Sequence, residues 1–147
     1  MKKMIIIFVF AIFAIQSVRA QTSVVLDSTK YWLKPDHITI TTTVDDTDQE
    51  FHVTIMQEPY GLFGFTIMGC ATGMPTHAVQ SDVGSGGTFG SFMFKVHMYN
   101  HYFKLNGNEP ETFTGYIPIS ISHEATTGSN IRKLILLPIT VIVKPKK

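Results

Sequence analysis

The chain has 147 residues, 12 basic and 11 acidic side chains, 44% hydrophobic residues and a single cysteine, Cys70. That length suits one domain with a self-sufficient core. The near balance of charge excludes a general field for nucleic-acid phosphates, and one Cys excludes an internal disulfide.

The chain opens with Lys2 and Lys3, then the apolar run Met4–Ile15, then Gln16, Ser17 and Arg19 before Ala20. A positive start, a short apolar stretch and a small residue at the cleavage point form an export signal, expected to span residues 1–20 and to leave Gln21 as the mature start. The run is shorter than the roughly 20 apolar residues a membrane-spanning helix needs. The expected product is a single domain over residues 21–147, secreted, periplasmic or at the cell surface, with no stable membrane span. Loss of Lys2, Lys3 and Arg19 leaves nine basic residues against eleven acidic ones.

The segments that follow are short, β-branched or aromatic, and separated by polar or Gly-rich turns, which is a strand signature. Ser23–Leu26 is a short apolar piece within an extended stretch, Gln21 to Pro35. His37–Val44 alternates, with Ile38, Ile40, Thr42 and Val44 on one face, and Phe51–Met56 alternates again through Phe51, Val53 and Ile55. The acidic run Asp45–Glu50 between them is expected to turn a hairpin. Leu62–Cys70 reads as a third strand buried on both sides, and Ala71–Gly90 as loop, broken by six glycines or prolines.

Ser91–Leu105 fits two patterns. Phe92, Phe94, Val96 and Met98 line one face of a strand, whereas Phe92, Val96, Tyr99 and Phe103 make a helical stripe; aromatic content and alternation favour the strand. Thr112–Ser122 and Ile131–Val143 close the domain. Pro118 and Pro138 lack the N–H a ladder needs, which assigns them to edges, bulges or strand crossings. In the closing run, Ile135, Leu137, Ile139, Val141 and Val143 share a face. About seven strands with turns every ten residues or so predict an all-β, antiparallel immunoglobulin-like β-sandwich. Trp32 stands too early to serve as the core Trp of a true immunoglobulin domain.

Several residue groups invite a chemical reading. Met68, Cys70, Met74 and His77 are soft ligands in one loop, but a blue-copper loop runs Cys, His, Met and here Met74 precedes His77. His97 and His101 would share a metal on a helix but stand roughly 13 Å apart on a strand. Asp46, Asp48 and Glu50 alternate like a calcium loop, yet the places for its Gly and final Glu hold Phe51 and Gln57. Gly84–Gly87 lacks the Lys-Ser/Thr of a phosphate loop, and Ser85 has Val83 where a nucleophile elbow needs its first glycine. Nothing orients a Cys70–His77 dyad. The expectation is therefore no catalytic, cofactor-binding or metal residue and no enzyme activity, with Cys70 as a small buried core residue.

The signal segment, the extended stretch Gln21–Pro35 and the closing strands GYIPISIS and LPITVIV together resemble fimbrial subunits of the chaperone–usher type. The resemblance is one of layout and implies a surface structural or adhesive module with protein partners or self-association, acting by strand addition. Ser23–Leu26 and Leu134–Val143 are the segments suited to give or accept a strand. The alternative is a secreted or periplasmic binding protein for a small ligand or metal, using the Met68–His77 loop and the aromatic segment 91–105.

Overall fold

The computed structural model describes residues 28–82, 84–124, 128 and 130–146; residues 1–20, expected to be an export signal, and Ser23–Leu26 lie outside them. Nine strands follow in order: β1 Lys30–Lys34, β2 Ile38–Thr43, β3 Gln49–Glu58, β4 Leu62–Ile67, β5 Val79–Ser81, β6 Ser85–Phe89, β7 Ser91–Met98, β8 Glu111–Glu124 and β9 Asn130–Lys144. They form two sheets, β1-β3-β7-β5 and β2-β9-β8-β4-β6. The pairings are antiparallel except for β2 on β9, which run parallel. This is the expected sandwich with one parallel contact.

Alternation explains the core. β3 turns Val53 and Ile55 inward, β7 turns Phe94, Val96 and Met98, and the facing sheet supplies Phe63, Phe65, Ile117, Ile119, Ile121, Leu137, Ile139, Val141 and Val143. Each such side chain taken from water contributes roughly 1.5–3 kcal/mol. Ser91–Met98 is a strand, and the chain then makes a short 3₁₀ turn at Asn100–Tyr102, so no helical stripe forms. Gly90 lets the chain swing from β6 in one sheet to β7 in the other: its φ is +76°, and a Cβ there would fall 2.1 Å from the Tyr60 ring.

Three local expectations are corrected. β2 and β3 do not form a hairpin, because they lie in different sheets and the acidic run after β2 bridges between them. The crossing is held from inside by buried Asn100. Its side-chain amide donates to the Asp46 and Thr47 carbonyls at 3.1 and 2.7 Å, and its backbone N–H donates to Asp48 Oδ1 at 3.0 Å. The buried Thr42 hydroxyl stands 2.9 Å from an Asp46 carboxylate oxygen and 3.2 Å from Asn100 Oδ1. β4 is buried on one face only: Phe63, Phe65 and Ile67 point in, while Leu62 and Thr66 are exposed. It stops at Ile67, and Cys70 beyond it is exposed rather than core, joined to Gln80 by an isolated bridge.

The N-terminal strand divides between the sheets. β1 pairs with β3, the chain crosses at Pro35–His37, and β2 pairs with β9 from Ile38↔Ile139 to Thr43↔Lys144. β2 therefore covers only the C-terminal part of β9.

The Asn100 hub makes a testable contribution. Asn100→Ala strands two loop carbonyls and should lower unfolding stability by roughly 2–3 kcal/mol, measured by urea denaturation at pH 7. Asp46 is held below the ordinary carboxylate value of 3.8, first by the Thr43 backbone N–H and then by the Thr42 hydroxyl. Its stabilisation is therefore complete above the unfolded-state value and is lost as pH falls through the lower folded-state one. Asp46→Asn should reduce the loss of thermal stability on acidification below about pH 4, followed by circular dichroism.

Candidate interaction edge

Among the described residues, β9 is flanked on both sides along Ile139–Lys144 and by β8 alone before that. The direction of its polar groups follows from β8. Tyr116 exchanges both backbone hydrogen bonds with Thr72, at 2.8 and 3.0 Å, and the Pro118 carbonyl accepts from Met68 N. Both residues thus point their N–H side and C=O away from β9. Their register partners are Pro138 and Leu136. In an antiparallel ladder these are non-hydrogen-bonded pairs, so even-numbered residues of β9 direct their backbone groups away from β8.

The consequence is a row of outward groups at Arg132, Leu134 and Leu136, bounded by Pro138. Among the described residues no strand pairs with this row. Pro138 has no N–H to offer, and its missing donor faces the point just before β2 docks at Ile139. Pro118 likewise faces the place where β4 ends at Ile67. Both prolines occupy positions where a ladder bond is not required, as their chemistry demands. The open length, residues 131–137, spans roughly 23 Å.

The side chains along the row are apolar. Leu134 is 68% exposed and Leu136 44%, with Pro118, Pro138 and Tyr116 on the same outer face. The odd-numbered residues Lys133, Ile135 and Leu137 face inward. Behind them lies a polar plug between the sheets: Lys133 Nζ donates to the Thr29 carbonyl and stands 5.5 Å from the Tyr31 ring centre. The Tyr31 hydroxyl accepts from Gln57 at 2.9 Å, and its ring lies 5.5 Å from Phe63.

The Pro- and Lys-rich run Lys144, Pro145 and Lys146, of a kind that blunts an edge, lies at the other end of β9. Lys146 pairs with Asp45 at 2.9 Å beside the stretch that β2 already covers. Of the other outer strands, β5 has three residues, β1 carries Lys30 and Lys34, β6 is the Gly-rich SGGTF and β2 is the Thr-rich ITITTT, whose Thr39 and Thr41 are exposed. Short, charged or Gly-rich strands are ways of blunting an edge; the β9 stretch carries Arg132, the inward-facing Lys133 and its terminal Pro138, and is apolar between them at Leu134, Ile135, Leu136 and Leu137.

The chemically suggestive groups of the sequence are dispersed. Met68 and Cys70 are exposed on the run between β4 and β5, and His77 stands apart with a φ of +65°, its ring 6.0 Å from Tyr102. His97 lies on the outer face of β7, 3.6 Å from a Glu50 oxygen and 3.6 Å from an Asp82 oxygen, and His101 is 3.8 Å from Asp48. Among the described residues no three His, Cys, Asp or Glu side chains converge as metal ligands, and no helix is long and apolar enough to cross a membrane. An open groove of about 600 Å³ lies between Val44, Asp45, His101, Phe103, Lys104 and Leu105. The Asp46–Glu50 alternation that resembles a calcium loop is used instead on Asn100 and on surface pairs with Lys95 and His52. Sequence reasoning marked the closing run as an edge but missed that β2 covers its second half.

No family model matches the sequence, and no curated protein does. Solved structures do. The ASH/PapD-like domain of human CEP192 matches with a TM-score of 0.58 at 10% identity, over 80% of this chain and 87% of that one. The chain shares with that domain the fold of an immunoglobulin-like β-sandwich. WR4, a C. elegans MSP family member, matches with a TM-score of 0.45 at 14% identity, over 77% of this chain and 96% of that one. The periplasmic chaperone SfaE matches with a TM-score of 0.46 at 5% identity, over 80% of this chain and 58% of that one.

The ladder geometry predicts opposite results for adjacent prolines. Leu134→Pro removes an outward N–H and should leave the melting temperature within a few degrees of wild type. Ile135→Pro removes a donor to β8 and should cost about 3 kcal/mol or more. Thermal unfolding of the two variants checks this.

Proposed function

We propose that the protein is an exported, non-catalytic interaction module whose working surface is the open stretch of β9. A partner presents an extended segment, which adds as a strand beside Arg132, Leu134 and Leu136. The observation that supports this most is the row between Asn130 and Pro138 that no described strand pairs with, long enough for seven residues and apolar on its outer face at Leu134 and Leu136. Main-chain bonds to the three outward residues would supply affinity. Leu134 and Leu136, two positions apart on one face, would read the side chains of the incoming strand.

The export reading rests on the Lys2–Ala20 segment, and the surface or periplasmic setting follows from it. Within that setting the fimbrial-like role is the specific form of the proposal: a structural or adhesive surface subunit that joins protein partners or further copies through this edge.

Photo-crosslinking from position 136 in the exporting cell tests the reading. A benzoylphenylalanine there should join a polypeptide at an extended segment, and Leu134→Pro in the same chain should abolish the adduct. The same probe at Thr39, on the outer face of β2, should give none. Absence of a polypeptide adduct at 136, or an adduct unaffected by Leu134→Pro, would contradict strand addition at this edge.

A further inference from the structure

A concave surface lies beyond the covered end of β9. There β2 ends at Thr43, opposite Lys144, and the chain enters the crossing to β3. The open groove between Val44, Asp45, His101, Phe103, Lys104 and Leu105 measures about 600 Å³. That is within the range of small-molecule sites, about 300–1,000 Å³.

Two segments build it: the start of the crossing after β2, and the run that leaves the 3₁₀ turn after β7. Val44 and Leu105 are half-buried against the core, and Phe103 is buried in it with its ring 5.1 Å from Phe113. The floor is therefore apolar. Asp45, His101 and Lys104 are exposed and form the rim. Asn100, next to His101 in the chain, ties the two segments together through the Asp46 and Thr47 carbonyls and Asp48 Oδ1. Walls fixed before a ligand arrives reduce the ordering cost of binding.

The rim charges decide what the groove can hold. Asp45 already pairs with Lys146 at 2.9 Å, so a cationic ligand would have to compete with that lysine. The other carboxylates of the crossing are engaged within the fold. Asp46 accepts from the Thr43 N–H at 2.7 Å and the Thr42 hydroxyl at 2.9 Å, and Asp48 accepts from the Asn100 N–H at 3.0 Å. His101 stands 3.8 Å from Asp48. Lys104 is the lining charge that has no ion-pair partner among the described residues.

We infer that this groove binds a small amphiphile with one anionic head and an apolar body, of the class of a medium-chain carboxylate. The Lys104 ammonium pairs with the head. Val44, Phe103 and Leu105 receive the body, which gains by leaving water. Lys146 acts at one remove: it offsets the Asp45 charge that would repel the head. This site is independent of strand addition at β9, and neither reading falls with the other.

The test is a titration of the exported protein with octanoate, below its micelle concentration. Octan-1-ol and octyltrimethylammonium serve as neutral and cationic comparators of the same chain length. Backbone amide NMR shifts locate the site. Octanoate should give saturable shifts confined to residues 43–48 and 100–105. It should bind about two- to fivefold more tightly than octan-1-ol, the range of one exposed ion pair. Lys104→Met keeps an apolar stem without the charge, so octanoate should fall to the octan-1-ol value while octan-1-ol is unchanged. Lys104→Arg should retain the preference. Lys146→Ala should weaken octanoate and strengthen octyltrimethylammonium. Lys104 and Lys146 are exposed, so these variants should keep the wild-type spectrum elsewhere. Shifts that do not saturate, or that fall elsewhere, would overturn the inference. Equal affinity for octanoate and octan-1-ol in the wild type, or a preference that survives Lys104→Met, would overturn it too. Tighter binding of octyltrimethylammonium than of octanoate would assign the groove to a cation at Asp45 and contradict it.

Discussion

A proline cannot donate to a sheet ladder, and the position of that missing donor at Pro138 governs how the larger sheet is built. Pro138 turns its backbone away from β8, towards the side where β2 must dock. β2 begins immediately past the proline, pairing Ile38 with Ile139. Every later residue of β9 to Lys144 is covered; among the described residues, none before it is paired on that side. One residue thus separates the closed half of the strand from the open half.

The sheet-crossing of the N-terminal strand is the second half of the same arrangement. β1 serves one sheet and β2 the other, so neither is long enough to run the whole length of β9. The crossing that follows, from β2 to β3, is secured by Asn100, whose amide satisfies loop carbonyls that a hairpin would have paired in a ladder. Burial of a polar amide is acceptable here because its partners are present. The Asn100 contacts thus lie towards one end of β9, and among the described residues the stretch paired on one side only lies towards the other.

Alternation made most strands legible in the sequence. The inward faces of β2, β3, β7 and β9 were readable residue by residue because β-branched and aromatic residues recur at every second position. Pairing was less legible. Asp45–Glu50 has the composition of a hairpin turn, and nothing local reveals that Asn100, far along the chain, draws it across the sandwich. Leu62–Cys70 looked buried on both sides because Leu62 and Met68 are apolar, yet both are exposed. Cys70 is an exception to the general preference of free Cys for the interior. For the candidate edge, the apolar run and its proline were visible; the parallel docking of β2, which decides which half remains open, is a long-range contact that no local pattern encodes.

The central claim is that, among the described residues, β9 is paired on one side only from Arg132 to Leu136 and on both sides from Ile139 onward. Residue-resolved amide hydrogen exchange on the exported protein tests it most directly. The amides of Arg132, Leu134 and Leu136 should exchange much faster than their odd-numbered neighbours Lys133, Ile135 and Leu137, giving a two-residue alternation that ends at Pro138. Uniform slow exchange along residues 131–137 would show that this edge is covered and would contradict the account.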